Sequence, residues 1–152
     1  RKFLHDPDIL DDTELVQGKH RHVMRGDALT GPVMSSVILY VNAKDLKDDL
    51  NNKFREKHPN LPQSISLSKI RNLKTSALLG CLSLGIEMST IAIAFILFEH
   101  LCLKGVVTKT NRRLSMAVCL VLAIKFNEPV CKDSEDAILE FADRQWSIPK
   151  KE

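Results

Sequence analysis

A chain of 152 residues with 44% hydrophobic composition has the size of one ordinary domain and the apolar material for a real core. Its 22 basic and 19 acidic residues are well mixed and leave a net charge of +3, too mild to argue for nucleic acid as a partner. The longest apolar run, residues 91–98, is bracketed by Glu87, Glu99 and His100 and falls well short of the roughly twenty residues that span a bilayer, so no membrane partner is expected.

The first residues, RKFLHDPD, lack the apolar core of a secretory signal. Up to about residue 40 the pattern is irregular and punctuated by Pro7, Gly18, Gly26, Gly31 and Pro32, which predicts an extended leader with room for one short helix. The acidic run Asp6, Asp8, Asp11 and Asp12 lacks the glycine and closing glutamate of an EF-hand loop and reads as turn and capping carboxylates. His20 and His22 flank Arg21 with no third ligand nearby, so GKHRH reads as a solvated basic turn. Residues 33–41 are apolar enough to dock on a core. Asp45 then caps a helix over 46–57, whose single stripe of Leu46, Leu50 and Phe54 marks a surface helix, and Pro59 and Pro62 stop it.

A second helix opens at Leu67 with Ser66 as its cap, carries a stripe of Leu67, Ile70, Leu73, Leu78 and Leu82, and ends at Gly80 or Gly85. Lys69, Arg71 and Lys74 read as its wet face. The stretch IEMSTIAIAFILFEHLCL follows, with Ile91, Ala94, Phe95, Phe98 and Cys102 on one face and Ile93, Ile96 and Leu97 on the other. After the polar link KGVVTKT comes NRRLSMAVCLVLAIKF, with Leu114, Ala117, Val118, Val121 and Leu122 on one face and Met116, Cys119, Leu120, Ala123 and Ile124 on the rest. Helices apolar on nearly all sides belong in the middle of a bundle, and so short a link predicts an antiparallel hairpin. Pro129 breaks the chain, Asp133 caps a last helix that turns Ala137, Ile138, Phe141 and Ala142 inward, Trp146 anchors its end, and Ile148 and Pro149 close it.

The expected fold is thus an all-α bundle. Cys81, Cys102, Cys119 and Cys131 have no CxxC pairing and read as reduced core thiols, consistent with nucleus and cytoplasm. There is no GxSxG, P-loop or HExxH and no carboxylate pair in an apolar setting, so neither catalysis, a metal nor a cofactor is expected.

AIAFILFEHLCLKGVVTKTNRRLSMAVCLVLAIKF resembles the second and third helices of a cyclin box, in which five helices are arranged around the third, down to the closing Ala123, Lys125 and Phe126. More closely, HDPDILDD and GKHRHV in the leader, VILYVNAKDLKDDLNNKFREKHPNL, LSKIRNLK and VCLVLAIKF resemble the Cables family of cyclin-like adaptors, linked to cyclin-dependent kinases and the Abl tyrosine kinase. The resemblance implies a leader at 1–43, an extra N-terminal helix at 44–62, and a partial box at 63–152 holding four of five helices. It implies a non-catalytic adaptor whose partner is a cyclin-dependent kinase, with a non-receptor tyrosine kinase as a second candidate.

In cyclins a lysine at the end of the third helix touches the kinase, and Lys125 matches it. The companion glutamate of the fifth helix is expected beyond residue 152. The cyclin substrate-docking pattern aligns with residues 70–74, where Asn72 and Lys74 depart from it, so docking is not carried over. Partner contacts are therefore expected at an apolar patch near the third helix, with Lys125 adding a charged contact and Arg112, Arg113 and Phe126 as further contact residues. Read from residues alone, Lys125 favours the helix C-terminus while its stem covers core. Arg112 and Arg113 oppose the dipole at the helix start and are either solvated or turned to an acidic partner. Glu99 and His100 read as a polar helix edge. Two rivals remain: a module like the B-type general transcription factors, whose cyclin folds contact DNA, and a fragment that self-associates through uncovered core surface.

Overall fold

Residues 42–128 and 132–148, with Leu10, Asp11 and Leu15, are described by a computed structural model, and apart from a 3-10 turn at Leu15 the regular elements among them are five α-helices. These are α1 (Ala43–Lys57), α2 (Leu67–Ser83), α3 (Met88–Leu103), α4 (Arg112–Asn127) and α5 (Lys132–Trp146). None is long and apolar enough to cross a membrane. Most of the leader, including Asp6, Asp8, Asp12, His20, His22 and residues 33–41, lies outside the described residues, as do Cys131 and Pro149.

Two compact units divide the chain: Asp11–Pro59, which carries α1, and Asn60–Glu152 with Arg1–Leu10, which carries α2 to α5. In the first, α1 starts earlier than its sequence suggests. Asn42, not Asp45, is the N-cap, accepting from the Lys44 N–H at 3.4 Å, and Asp45 falls inside the first turn where its charge still favours the dipole. Phe54 is buried, with the His58 ring tilted against it at 5.0 Å between centroids.

In the second unit α4 touches α2, α3 and α5. The pairing of α3 with α4 is antiparallel, because the start of α3 meets the end of α4: the Glu128 carboxylate accepts from the Glu87 N–H (3.2 Å) and the Thr90 hydroxyl (2.8 Å). The Asn127 amide donates to the Ser89 and Thr90 hydroxyl oxygens at 2.8 and 2.9 Å. Glu87 itself makes no side-chain cap, so Glu128 supplies the acceptor and the negative charge that this helix start lacks.

One device ends both α2 and α3. Gly85 (φ +73°) and Gly105 (φ +71°) take the left-handed conformation just past the caps Leu84 and Lys104. The N–H groups of Ile86 and Val106 then reach back to the carbonyls of Cys81 and Leu101, the six-to-one bond of a Schellman turn. Gly85 is therefore the terminator of α2. Gly80 lies within the helix, buried, where a Cβ would stand 2.3 Å from the Phe141 ring of α5.

The core differs from the expected stripes in three places. In α2 the inward row runs Leu67, Ile70, Leu73, Ala77 and Cys81, while Leu82 is exposed, because the close approach of α5 selects small residues over leucines. In α3 only the row Thr90, Ile91, Ala94, Phe98 and Cys102 is buried. Ile96 is exposed, so α3 is a flank of the bundle rather than its middle. In α4 the buried set is Met116, Ala117, Cys119, Leu120, Ala123 and Ile124. At the end of α5, Trp146 anchors as expected: its ring meets Phe141 edge-on at 5.2 Å and its Nε1–H donates to the Ser76 hydroxyl at 3.2 Å.

Candidate functional site

Burying one side of α4 leaves its other apolar side uncovered. Leu114, Val118, Leu122 and Phe126 follow one another at four-residue intervals, a nearly straight row roughly 18 Å long on the helix surface. They are 52, 46, 42 and 83% exposed. Four large apolar side chains in line on one helix, with charge at one end, form the kind of patch that monomeric surfaces seldom keep without use.

The charge at that end is Lys125. Its Nζ lies 3.2 Å from a Glu135 carboxylate oxygen of α5, with the lysine side chain about half exposed and the glutamate side chain mostly covered. The pair holds the ammonium beside Phe126 and leaves part of its donor capacity turned to solvent. Arg112 and Arg113 begin the same helix and so lie roughly 20 Å from Lys125. The four expected contact residues thus form two groups at opposite ends of α4.

At the arginine end, Arg112 and Arg113 line a cavity of about 320 Å³ with Lys69, Asn72 and Ser76 of α2 and Gln145 and Trp146 of α5. Arg113 donates to the Trp146 carbonyl at 3.4 Å. Asn111, the residue before the helix, gives no side-chain cap. Its amide group is spent on the preceding loop, accepting from the Thr108 N–H and donating to the Val106 carbonyl.

Residues read as wet or peripheral from the sequence turn out to be engaged. Lys74 is an ion-pair partner of Glu99, stands 5.4 Å from the centre of the Phe95 ring, and its side chain is only 16% exposed. Lys69 donates to the Ser64 carbonyl at 3.0 Å. His100 is exposed in the last turn of α3. Cys81, Cys102 and Cys119 are free and buried, as expected, and burial pushes their thiols up from an ordinary 9.0 to about 11, 12 and 11. They are inert core thiols at neutral pH. Among the described residues no group of histidine, cysteine, aspartate and glutamate could hold a metal ion.

No family model matches the chain, and no solved structure matches it. Curated relatives do. It is 36% identical over 149 residues to human CDK5 and ABL1 enzyme substrate 1, covering 97% of this chain and 23% of that protein. It is 37% identical over 150 residues to the mouse protein of the same name, covering 97% and 25%. To human CDK5 and ABL1 enzyme substrate 2 it is 32% identical over 148 residues, covering 97% and 30%. The chain therefore spans about a quarter of the length of the curated relatives it matches.

Proposed function

Since nearly the whole chain is homologous to a segment of the CDK5 and ABL1 enzyme substrate (Cables) proteins, we propose that it is a non-catalytic adaptor segment of cyclin-like fold that binds a cyclin-dependent kinase of the CDK5 type. The observation that carries this reading is the uncovered row on α4, Leu114, Val118, Leu122 and Phe126, ending beside Lys125. A kinase is the occupant on this reading, because the relatives are named for kinases and because Lys125 matches, by sequence resemblance, the lysine with which a cyclin touches its kinase. The position of α4, touching α2, α3 and α5, supports the cyclin-like reading of the bundle.

On this reading the chain performs no chemistry. Apolar contact along α4 supplies affinity, and Lys125 adds a charged contact that fixes register. The Abl kinase is a second partner of the full protein, which works in the nucleus and cytoplasm in kinase signalling and cell-cycle control.

Capture of purified CDK5 by the immobilised chain tests the proposal, with Phe126→Ser and Leu122→Glu as variants. Both positions are exposed, so the bundle should survive the changes. Loss of capture by both supports the α4 face. Undiminished capture by both refutes it, and dilution-dependent self-association abolished by Leu122→Glu, without kinase capture, would assign the face to a second copy of the chain.

A further inference from the structure

The cavity at the other end of α4 has a chemistry that kinase docking on the apolar row does not use. Among the described residues three cations line it, Lys69, Arg112 and Arg113, and no carboxylate does. Two of them open α4, where the backbone dipole is already positive and no acidic residue of the first turn offsets it. Positive charge has been gathered where the helix itself disfavours it.

Nor is that charge consumed inside the protein. The Nη1 nitrogen of Arg112 is buried and has no hydrogen-bond partner. A guanidinium has five donors in a fixed fork; Nη1 is closed off from solvent, an unfavourable place for an unpaired donor, and Arg112 meets the cavity with its remaining donors. Lys69 gives one donor to the Ser64 carbonyl and keeps two. Asn72 and Gln145 add neutral amide donors to the lining. The site is held from behind: Trp146, buried at the end of α5, is fixed through its indole by Ser76 and through its carbonyl by Arg113.

We propose that this cavity binds a phosphate monoester carried on a serine or threonine of a peptide. A phosphate near its dianionic form offers three acceptor oxygens and close to two negative charges, the complement of two arginine forks and an ammonium. A carboxylate offers one charge and two oxygens and would leave most of this donor set unused. The volume of about 320 Å³ is at the lower end of the range for ligand sites and admits the residue that bears the phosphate. The site does not depend on the kinase reading, since it is separated from Lys125 and Phe126 by nearly the whole length of α4.

Trp146 is the sole tryptophan of the chain and lines the cavity, so its fluorescence reads occupancy directly. The probes are the peptide Gly-Gly-phosphoserine-Gly-Gly, its unphosphorylated twin, a twin with glutamate in place of phosphoserine, and inorganic phosphate, all at one ionic strength. The phosphopeptide and inorganic phosphate should give saturable changes and the two twins none. Arg112→Gln should weaken phosphopeptide binding at least tenfold, Lys69→Gln several-fold, and Lys104→Gln, on the far side of the link, not at all.

A second reading is thermal. Arg112→Met should raise the Tm of the free protein, by removing an unpaired buried donor, and abolish the further rise that phosphopeptide gives the wild type. If Arg112→Gln fails to fold, Lys69→Gln carries the binding test. The proposal is overturned by equal responses to all three peptides, by a signal that follows ionic strength alone, by binding of inorganic phosphate without the phosphopeptide, or by undiminished affinity in the Lys69→Gln and Arg112→Gln proteins.

Discussion

Replacing Gly80 with alanine should destabilise the α2–α5 bundle although alanine is the better helix former. Within a helix interior the exchange is favourable by about 1 kcal/mol. Here the new Cβ would stand 2.3 Å from two carbons of the Phe141 ring, against an ordinary contact of roughly 3.5–4.0 Å. The ring, which is partly buried, must move by more than an ångström, and Trp146 packs against it on one side. Its neighbour Trp146 meets it edge-on at 5.2 Å and is itself tied to Ser76.

Overpacking of this kind costs about 1–3 kcal/mol, so the net loss should be on the order of 1 kcal/mol. The sign should reverse once the ring is gone. In a Phe141→Ala background, Gly80→Ala should stabilise by about 1 kcal/mol, a coupling of roughly 2 kcal/mol between the two positions. Urea unfolding followed by Trp146 fluorescence measures all four proteins, because that residue reports on this unit. A raised midpoint for Gly80→Ala in the otherwise wild-type chain would refute the packing account.

Other consequences follow from the helix ends and the thiols. Ser147 closes α5 with φ at 55°, a left-handed conformation that costs a side-chain-bearing residue about 1 kcal/mol, so Ser147→Gly should raise stability by roughly 0.5–1 kcal/mol in the same urea assay. Glu128→Ala should lose about 1 kcal/mol, since it removes the acceptor for the Thr90 hydroxyl and the Glu87 N–H at the start of α3; an unchanged midpoint would contradict that role. Cys81, Cys102 and Cys119 should ignore a thiol-specific disulfide reagent at pH 8 in the folded chain and react once it is denatured. With folded pKa values of about 11 to 12 against an ordinary 9.0, folded and unfolded chains bind these protons equally below pH 9. Above it the unfolded chain releases them first, so stability should fall as pH rises from about 9 towards 12, as pH-jump unfolding would register.

The all-helical fold was legible because glycines and apolar rows agreed: Gly85 after α2 and a link of polar residues between two apolar helices, whereas Ser66 holds the N-cap position of α2 without a side-chain capping bond. What the rows could not say was which side of α4 would be buried. Both of its faces are apolar, and periodicity ranks faces only when one is polar. The same ambiguity made α3 look central, when the exposure of Ile96 marks it as a flank. Small residues were the missed signal. Ala77, Gly80 and Cys81 are the close-packing face of α2, and hydrophobicity alone favoured Leu78 and Leu82 over them. The arginine cavity was half legible, since Arg112 and Arg113 stood out against the helix dipole. Lys69 and Trp146, far away in sequence, join them only through the packing of three helices.

The most direct test of the central claim is the affinity of the chain for purified CDK5, measured by calorimetry for the wild type, Phe126→Ser and Arg112→Gln. Phe126 stands exposed at the end of the α4 row beside Lys125, and the removal of a buried interface aromatic costs about 2 kcal/mol or more. Kinase docking on that row predicts affinity at least tenfold weaker for Phe126→Ser and unchanged for Arg112→Gln. Equal affinity for the wild type and Phe126→Ser, or no binding by any of the three, would contradict it.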